Sequence, residues 1–413
     1  MKYAIIIADG AADHPLDELG SRTPFEAAVK PHLDCISIEG RQGTVATTPE
    51  GMTCGSDVCS MSLLGYDPVT CHRGRAPLEA AALGIDLSRS DWIFRVNLIS
   101  VDEGRFQDHS AGHISSQEGR QLIGALAEAQ KIEGVRFYPG LSYRNIMVDA
   151  SGRRDWSQLQ TVGPHDVPGE PIRKHLPSGS AHAGLLKDLI ERSWVLFADH
   201  EVNRTRRELG EPQATHAWPW GQGQRPQLEP FARRFGLRGA MITAVDLLAG
   251  IASFIGWDCL DVPGQTGYHD TDYAAAGGAA IEAFDQYDLV CVHIEAPDEA
   301  SHNADATTKV AAIEAIDRFI VGPVHEALKR HWPKHRLLYL PDHYTSVSTR
   351  KHEPIPVPFA ACGHRLYGVL QRPFSERNAA ESDLHIAFGH ELMEYFLTSG
   401  TSARQRPGQD PGS

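Results

Sequence analysis

With 413 residues, 41% hydrophobic and 22% charged, the chain has the composition of a globular protein and is longer than one hydrophobic core usually supports, so a large domain with a smaller second one is expected. Thirty-nine basic against fifty-three acidic side chains leave a net charge of −14, which disfavours nucleic acid or an anionic membrane as a partner and requires any anionic substrate to be attracted locally. Met1-Lys2-Tyr3 runs straight into an apolar strand pattern without signal-peptide organisation, and no apolar run reaches membrane-spanning length, so a cytoplasmic setting is expected.

In chain order, residues 3–8 are the first of several short apolar, β-branched runs that end in a Gly-, Pro- or Asp-containing turn and lead into a helical pattern. Residues 239–244, 288–295 and 336–340 are the others, and the alternation predicts an α/β fold: a mainly parallel sheet with helices on both faces. Residues 57–64 are helical in pattern, and Cys54, Cys59 and Cys71-His72 around them make a poor zinc signature; with seven scattered cysteines, reduced packing thiols are the reading. Between about 102 and 218 the texture changes to shorter strand candidates, 145–148 and 194–198, and polar connections. This stretch reads as a smaller α/β domain, 103–218, inserted into a core made of 1–102 and 219–400. Later helices are predicted over 307–320 and over 381–397, the latter with Ser382 and Asp383 as caps. Residues 401–413 are polar, Pro/Gly-bearing and expected to be a disordered tail.

Metal-type side chains gather just after strands, where an open parallel sheet forms its ligand crevice. Asp9-Gly10 ends the first strand, Asp298 follows 289–294, Asp342-His343 follows 337–340, and His352 lies a little further on. A lone Asp in such a place is ordinarily a turn former, but four coincident placements favour metal binding. Asp298 and His302 are four apart, which on a helix puts both on one face, and Asp342-His343 on a loop can both turn toward one ion or two neighbouring ions. Carboxylate oxygen with imidazole nitrogen suits manganese, zinc or cobalt better than magnesium. Ser56, in Gly55-Ser56-Asp57, opens the 57–64 helix, and from sequence it is equally an N-cap or a nucleophile. As a nucleophile it would need a metal contact to lose its proton.

Taken together, Ile7-Ala8-Asp9-Gly10, Gly55-Ser56-Asp57, Leu64-Gly65-Tyr66-Asp67-Pro68, Glu295-Ala296-Pro297-Asp298-Glu299-Ala300, His302, Leu340-Pro341-Asp342-His343 and His352 resemble the archaeal type of cofactor-independent phosphoglycerate mutase, in the alkaline phosphatase superfamily. The resemblance runs from Met1 to about Leu397 and includes Tyr143-Arg144, Pro164-His165-Asp166, Trp220-Gly221-Gln222-Gly223 and Thr243-Ala244-Val245-Asp246. It implies two divalent ions, manganese first, with zinc, cobalt or magnesium as alternatives. One would be held by Asp9, Ser56, Asp342 and His343, the other by Asp298, His302 and His352. It also implies that Ser56 is phosphorylated and that His113, Arg144, His165, Asp166 and Arg204 bind substrate or move protons, with His113 as a base. The sequence departs from the family pattern at Thr53-Cys54, Ala76 and Thr215-His216, none of which removes a presumed ligand or the serine.

The implied reaction converts 3-phosphoglycerate to 2-phosphoglycerate through phosphoserine. The same serine would serve a phosphatase, from which an insert that excludes water distinguishes a mutase. Phosphate transfer to another alcohol, as in a homoserine-kinase-like enzyme, would call for a nucleotide site, and no Gly-x4-Gly-Lys-Ser/Thr loop is present. A catalytically silent metal-binding protein is the reading outside enzymology. Oligomeric state is not legible.

Overall fold

Tyr3 to Ala8 is apolar at every position and buried throughout, as a strand covered on both faces must be. In this computed structural model, which describes residues 1–399, Lys2–Ala8 lies inside an eight-stranded sheet. The strand order is His385–Ile386, Arg41–Val45, Val357–Gly363, His335–Leu340, Lys2–Ala8, Leu289–Ile294, Gly239–Ile242, Asp258–Cys259. Only Val357–Gly363 pairs antiparallel with its neighbours, so the sheet is mainly parallel. The register decides which loops meet at the carboxyl edge. Ala8 pairs with Ile294 and Ile7 with Leu340, so the residues leaving these three strands emerge side by side.

The chain divides into two compact units, Met1–His72 with the residues from Gln227 onward, and Arg73–Pro226. The second unit has its own sheet, in the order Arg105–Asp108, Trp92–Asp102, Arg144–Asp149, Val135–Pro139, with His216–Gln224 also paired to Trp92–Asp102. Its ladders are antiparallel, and its core packs Phe94, Leu98, Trp156, Leu186 and Phe197. It starts well before residue 103 because the long strand Trp92–Asp102 is the one to which three others pair, and the helix Ala76–Ala82 packs on it.

Two expected elements are corrected. Residues 194–198 are not a strand but the end of the helix Ala183–Ala198, whose buried positions Leu186, Leu189, Ile190, Ser193 and Phe197 follow helical spacing while Trp194 and Val195 face solvent. The helix expected over 381–397 is reduced to Leu392–Thr398 after a 3₁₀ turn, Gly389–Glu391. Before it, His385–Ile386 pairs with Arg41–Val45, and Ser382 caps nothing helical; its hydroxyl takes the N–H of Leu384 at 3.2 Å. The tail 401–413 lies outside the described residues. All seven cysteines are free thiols, and among the described residues no helix is long and apolar enough to cross a membrane.

One buried ion pair fixes the loops at the sheet's carboxyl edge. Lys309, on the helix Ala306–Ile316, is fully buried and donates to Asp13 Oδ2 at 2.9 Å, to the Thr345 carbonyl at 2.7 Å and to the Ala12 carbonyl at 3.3 Å. Asp13 in turn accepts the Val347 N–H at 3.0 Å. Removing one partner of such a pair strands a buried charge. Lys309→Met is therefore expected to lower the unfolding free energy by about 3–5 kcal/mol, read from urea denaturation.

Candidate active site

The strand register sets the site. Asp9, Glu295 and Asp342 follow the adjacent strands Lys2–Ala8, Leu289–Ile294 and His335–Leu340, and the Asp9 N–H donates to the Ile294 carbonyl at 3.0 Å. Gly10 has φ +58°, and a Cβ there would lie 2.4 Å from Asp298 Oδ1 and 2.5 Å from Thr345 Oγ1, so only glycine lets the first loop pass this close. The short helix Ala296–His302 carries Asp298 and His302, and the hairpin Tyr344–Ser346 with Lys351–Glu353 carries His352.

Around Asp9 and Asp342 the hydrogen bonds select one oxygen of each carboxylate. Asp342 Oδ1 accepts the Gly10 N–H at 3.1 Å and the His343 N–H at 2.9 Å, while Oδ2 is buried without a hydrogen-bond partner. Asp9 Oδ2 pairs with His293 Nε2 at 2.9 Å, while Oδ1 is likewise buried and unpartnered. Both orphaned oxygens stand 3.4 Å from His343 Nε2, and Ser56 Oγ is 3.2 Å from the same nitrogen. Ser56 is the first residue of the helix Ser56–Leu63, whose cap is Gly55 with no side-chain bond. The serine hydroxyl is turned to His343 rather than back onto its own helix.

A second group adjoins the first. Asp298 Oδ2 is 3.1 Å from His302 Nε2, Asp298 Oδ1 is 3.4 Å from His352 Nε2, and the two histidine Nε2 atoms are 3.0 Å apart. The His343 and His352 rings stack at 4.0 Å between centroids, which joins the two groups. The structure thus brings together all seven residues marked as ligands from sequence: Asp9, Ser56, Asp342 and His343 in one group, Asp298, His302 and His352 in the other.

Electrostatically this is a strained place. Burial, and then the charges of Asp342, Glu295 and Asp298, hold Asp9 well above the usual carboxylate range. Burial and the Asp298 charge push Glu295 to about 8. Burial holds His343 down, and takes His293 to about 4, so both imidazoles are neutral donors of a lone pair or an N–H. His302 is raised to about 9 by its hydrogen bond to Asp298. Buried carboxylates with unpartnered oxygens facing the neutral His343 Nε2, and beside them His302 and His352 Nε2 brought within 3.0 Å of each other around Asp298, are the donor set of divalent cations. The groups Asp9–Asp342–His343 and Asp298–His343–His352 each bring ligand atoms close enough for one ion, so these residue types fit a divalent cation; His302 joins the second group through Asp298 Oδ2 at 3.1 Å.

His293, Glu295 and Thr345 were not marked from sequence. A histidine inside an otherwise apolar strand was the available signal for His293; Glu295 stood in a quoted motif without a role, and Thr345 gave no signal.

In the second unit the marked residues are less uniform. His165 Nε2 is 3.3 Å from Asp166, and burial holds its pKa down, with Asp166 opposing and Arg95, His109 and Arg75 adding to the depression. Arg144 lies over the Tyr143 ring at 5.3 Å, and His109 packs on both Tyr143 and His165. His113 has φ +50°, and its N–H donates to Ser110 Oγ at 3.2 Å. Arg95, stacked on Trp220 at 4.2 Å and paired with Glu79 at 3.0 Å, brings its charge to bear on His165; Arg95, Arg75 and His109 were not marked from sequence. Arg204 is exposed on the helix Glu201–Leu209; its buried neighbour Arg206 donates to the Ala111 carbonyl at 3.0 Å and pairs with Glu118 at 3.1 Å.

Residues 38–203 match the family model described as 2,3-bisphosphoglycerate-independent phosphoglycerate mutase. A 2,3-bisphosphoglycerate-independent phosphoglycerate mutase of Methanothermobacter thermautotrophicus is 44% identical over 98% of this chain and 99% of its own length. Another, from Methanothrix thermoacetophila, is 44% identical over 96% of this chain and 100% of its own. The solved structure of a protein from Pyrococcus horikoshii has the same fold, with a TM-score of 0.82 at 24% identity, covering 100% of this chain and 99% of that one.

The Glu295 shift has a readable sign. Its carboxyl keeps a proton in the folded, ion-free protein up to about pH 8 but would lose it near 4.5 when unfolded, so the folded state binds more protons in that window. Stability of protein stripped with a chelator should therefore decline as pH rises from about 4.5 to about 8 and level off above it. Glu295→Gln should flatten that decline, as followed by thermal denaturation across the window.

Proposed function

The chain belongs to the 2,3-bisphosphoglycerate-independent phosphoglycerate mutase family, and on that premise we propose that it interconverts 3-phosphoglycerate and 2-phosphoglycerate through a phosphoserine at Ser56. The observation that carries this reading is the Ser56 hydroxyl, released from capping and directed at His343 Nε2 beside the unpartnered oxygens of Asp9 and Asp342. Two divalent cations, held by Asp9, Ser56, Asp342 and His343 and by Asp298, His302 and His352, would supply the charge that favours the serine alkoxide and offsets charge on the transferring group. The mixed carboxylate and imidazole donors favour manganese over magnesium, with zinc and cobalt as competitors.

The serine, having lost its proton, attacks phosphorus in line. The bond from phosphorus to the 3-oxygen breaks as the bond to Ser56 Oγ forms, and the departing oxygen takes up a proton to leave glycerate. The glycerate then presents its 2-hydroxyl. That hydroxyl gives its proton to a base, His113 in our reading, and attacks the phosphoserine, which returns Ser56 Oγ to its starting state. Arg144, His165, Asp166 and Arg204 are assigned to the carboxylate and phosphate of the substrate or to proton movement, with support from the charges of Arg95 and Arg75 near His165 and of Arg144 near His109. On the same reading the enzyme works in the cytoplasm on a free metabolite, not on nucleic acid or a membrane.

The test is to incubate purified protein with Mn²⁺ and 3-phosphoglycerate and to follow 2-phosphoglycerate and free phosphate together. Formation of 2-phosphoglycerate without phosphate release is the expected outcome. Phosphate release alone would identify a phosphatase, and neither product would point to another substrate. Ser56→Ala should abolish turnover while the metal content measured by mass spectrometry stays largely intact; turnover by that variant would refute the covalent route.

A further inference from the structure

Thr345 is fully buried in the short strand Tyr344–Ser346, directly opposite His352 in the antiparallel pair. Its hydroxyl touches both ligand groups. Thr345 Oγ1 donates to Asp298 Oδ1 at 2.6 Å and lies 3.0 Å from His343 Nδ1. A hydroxyl has one hydrogen, and here a carboxylate, which only accepts, takes it. The hydrogen between Thr345 and His343 must then come from His343 Nδ1. That leaves the lone pair on His343 Nε2, the atom facing Ser56 Oγ and the unpartnered oxygens of Asp9 and Asp342.

The backbone around this hydroxyl is held in the same spirit. Lys309 donates to the Thr345 carbonyl at 2.7 Å, and Gly10 lies so close that a Cβ on it would stand 2.5 Å from the hydroxyl oxygen. Ligand histidines commonly owe their orientation to a partner on the other ring nitrogen, and loss of that partner typically weakens metal binding about tenfold to hundredfold. Here one side chain serves a histidine of one group and the aspartate of the other. We propose that Thr345 is a positioning residue that sets the His343 tautomer and the Asp298 orientation together, so that affinity at both cation positions depends on this single hydroxyl. The inference rests on the two-cation reading above and deepens it.

The experiment titrates the full-length, metal-stripped protein with Mn²⁺ alone, by calorimetry, with free ion counted by electron paramagnetic resonance. Asp342→Asn and His302→Ala identify which binding step belongs to which group. Thr345→Val is expected to weaken both steps, each by about tenfold to hundredfold, and Thr345→Ser to restore both. A loss confined to one step, wild-type affinity in the valine variant, or failure of serine to restore binding overturns the proposal. If the valine variant does not fold, the wild-type protein decides: nitrogen-15 shifts of His343 in the ion-free state should show a protonated Nδ1 and a bare Nε2, and the reverse tautomer overturns it. No phosphoglycerate enters these measurements. A wild-type protein that binds two ions through Thr345 yet makes no 2-phosphoglycerate would refute the mutase reading and leave this one standing.

Discussion

Like charges crowded out of contact with water are the constraint on which the rest of this structure depends. Asp9, Glu295 and Asp342 leave three neighbouring strands whose register places Ala8 beside Ile294 and Ile7 beside Leu340, and Asp298 joins them within one turn of helix. Asp9 and Asp342 are fully buried, so solvent cannot disperse their charge. A carboxylate in that position has two remedies: it keeps a proton, as the upward shifts of Asp9 and Glu295 describe, or it faces a cation. The hydrogen bonds favour the second remedy. His293 occupies one oxygen of Asp9, the Gly10 and His343 backbone occupies one oxygen of Asp342, and the other oxygen of each is left aimed at the same nitrogen.

Such a place has to be held open against its own repulsion, and the fold does so with backbone rather than with more charge at the centre. The ion pair Lys309–Asp13 sits just behind the site and ties the loop after the first strand to the hairpin that carries Thr345 and His352. Gly10, in the left-handed region, lets the first loop approach Asp298 and Thr345 without a side chain in between. The cation of Lys309 is thus used for architecture, although its charge also reaches the acidic cluster.

The sequence was most informative where one strand end dictates one residue. Asp9, Asp298 and Asp342-His343 could be found because a buried parallel strand is a short apolar run and the residue after it must face the crevice. Ser56 could be located but not interpreted, since a cap and a nucleophile look alike until the hydroxyl direction is known. His293 escaped because its position inside an apolar strand is also where a core histidine would lie, and Thr345 escaped because a threonine in a β-pattern is ordinary. The strand misread at 194–198 shows the complementary weakness: Trp194-Val195-Leu196-Phe197 is apolar in a row, and only the tertiary burial of Ser193 and Phe197, with Trp194 and Val195 outside, reveals the helical period. The early start of the second unit was hidden because Trp92–Asp102 is apolar enough to pass for another strand of the first sheet.

A chain of net charge −14 that handles a small anion has to overcome its own field, and the charged groups within each unit answer to different constraints. In the first, the acidic cluster repels anions until cations neutralise it, so the reacting phosphate and the ions depend on each other. In the second, His165 is pressed down by burial, with Asp166 opposing and Arg95, His109 and Arg75 adding to it, and Arg95 is depressed by burial, with Glu79 opposing and Arg75 and Arg144 adding to it. These groups already have anions at hand, Glu79 at 3.0 Å from Arg95 and Asp166 at 3.3 Å from His165. The carboxylates of the first unit have no such counter-charge on two of their oxygens, Asp9 Oδ1 and Asp342 Oδ2, and that asymmetry is what makes a cation the natural complement there.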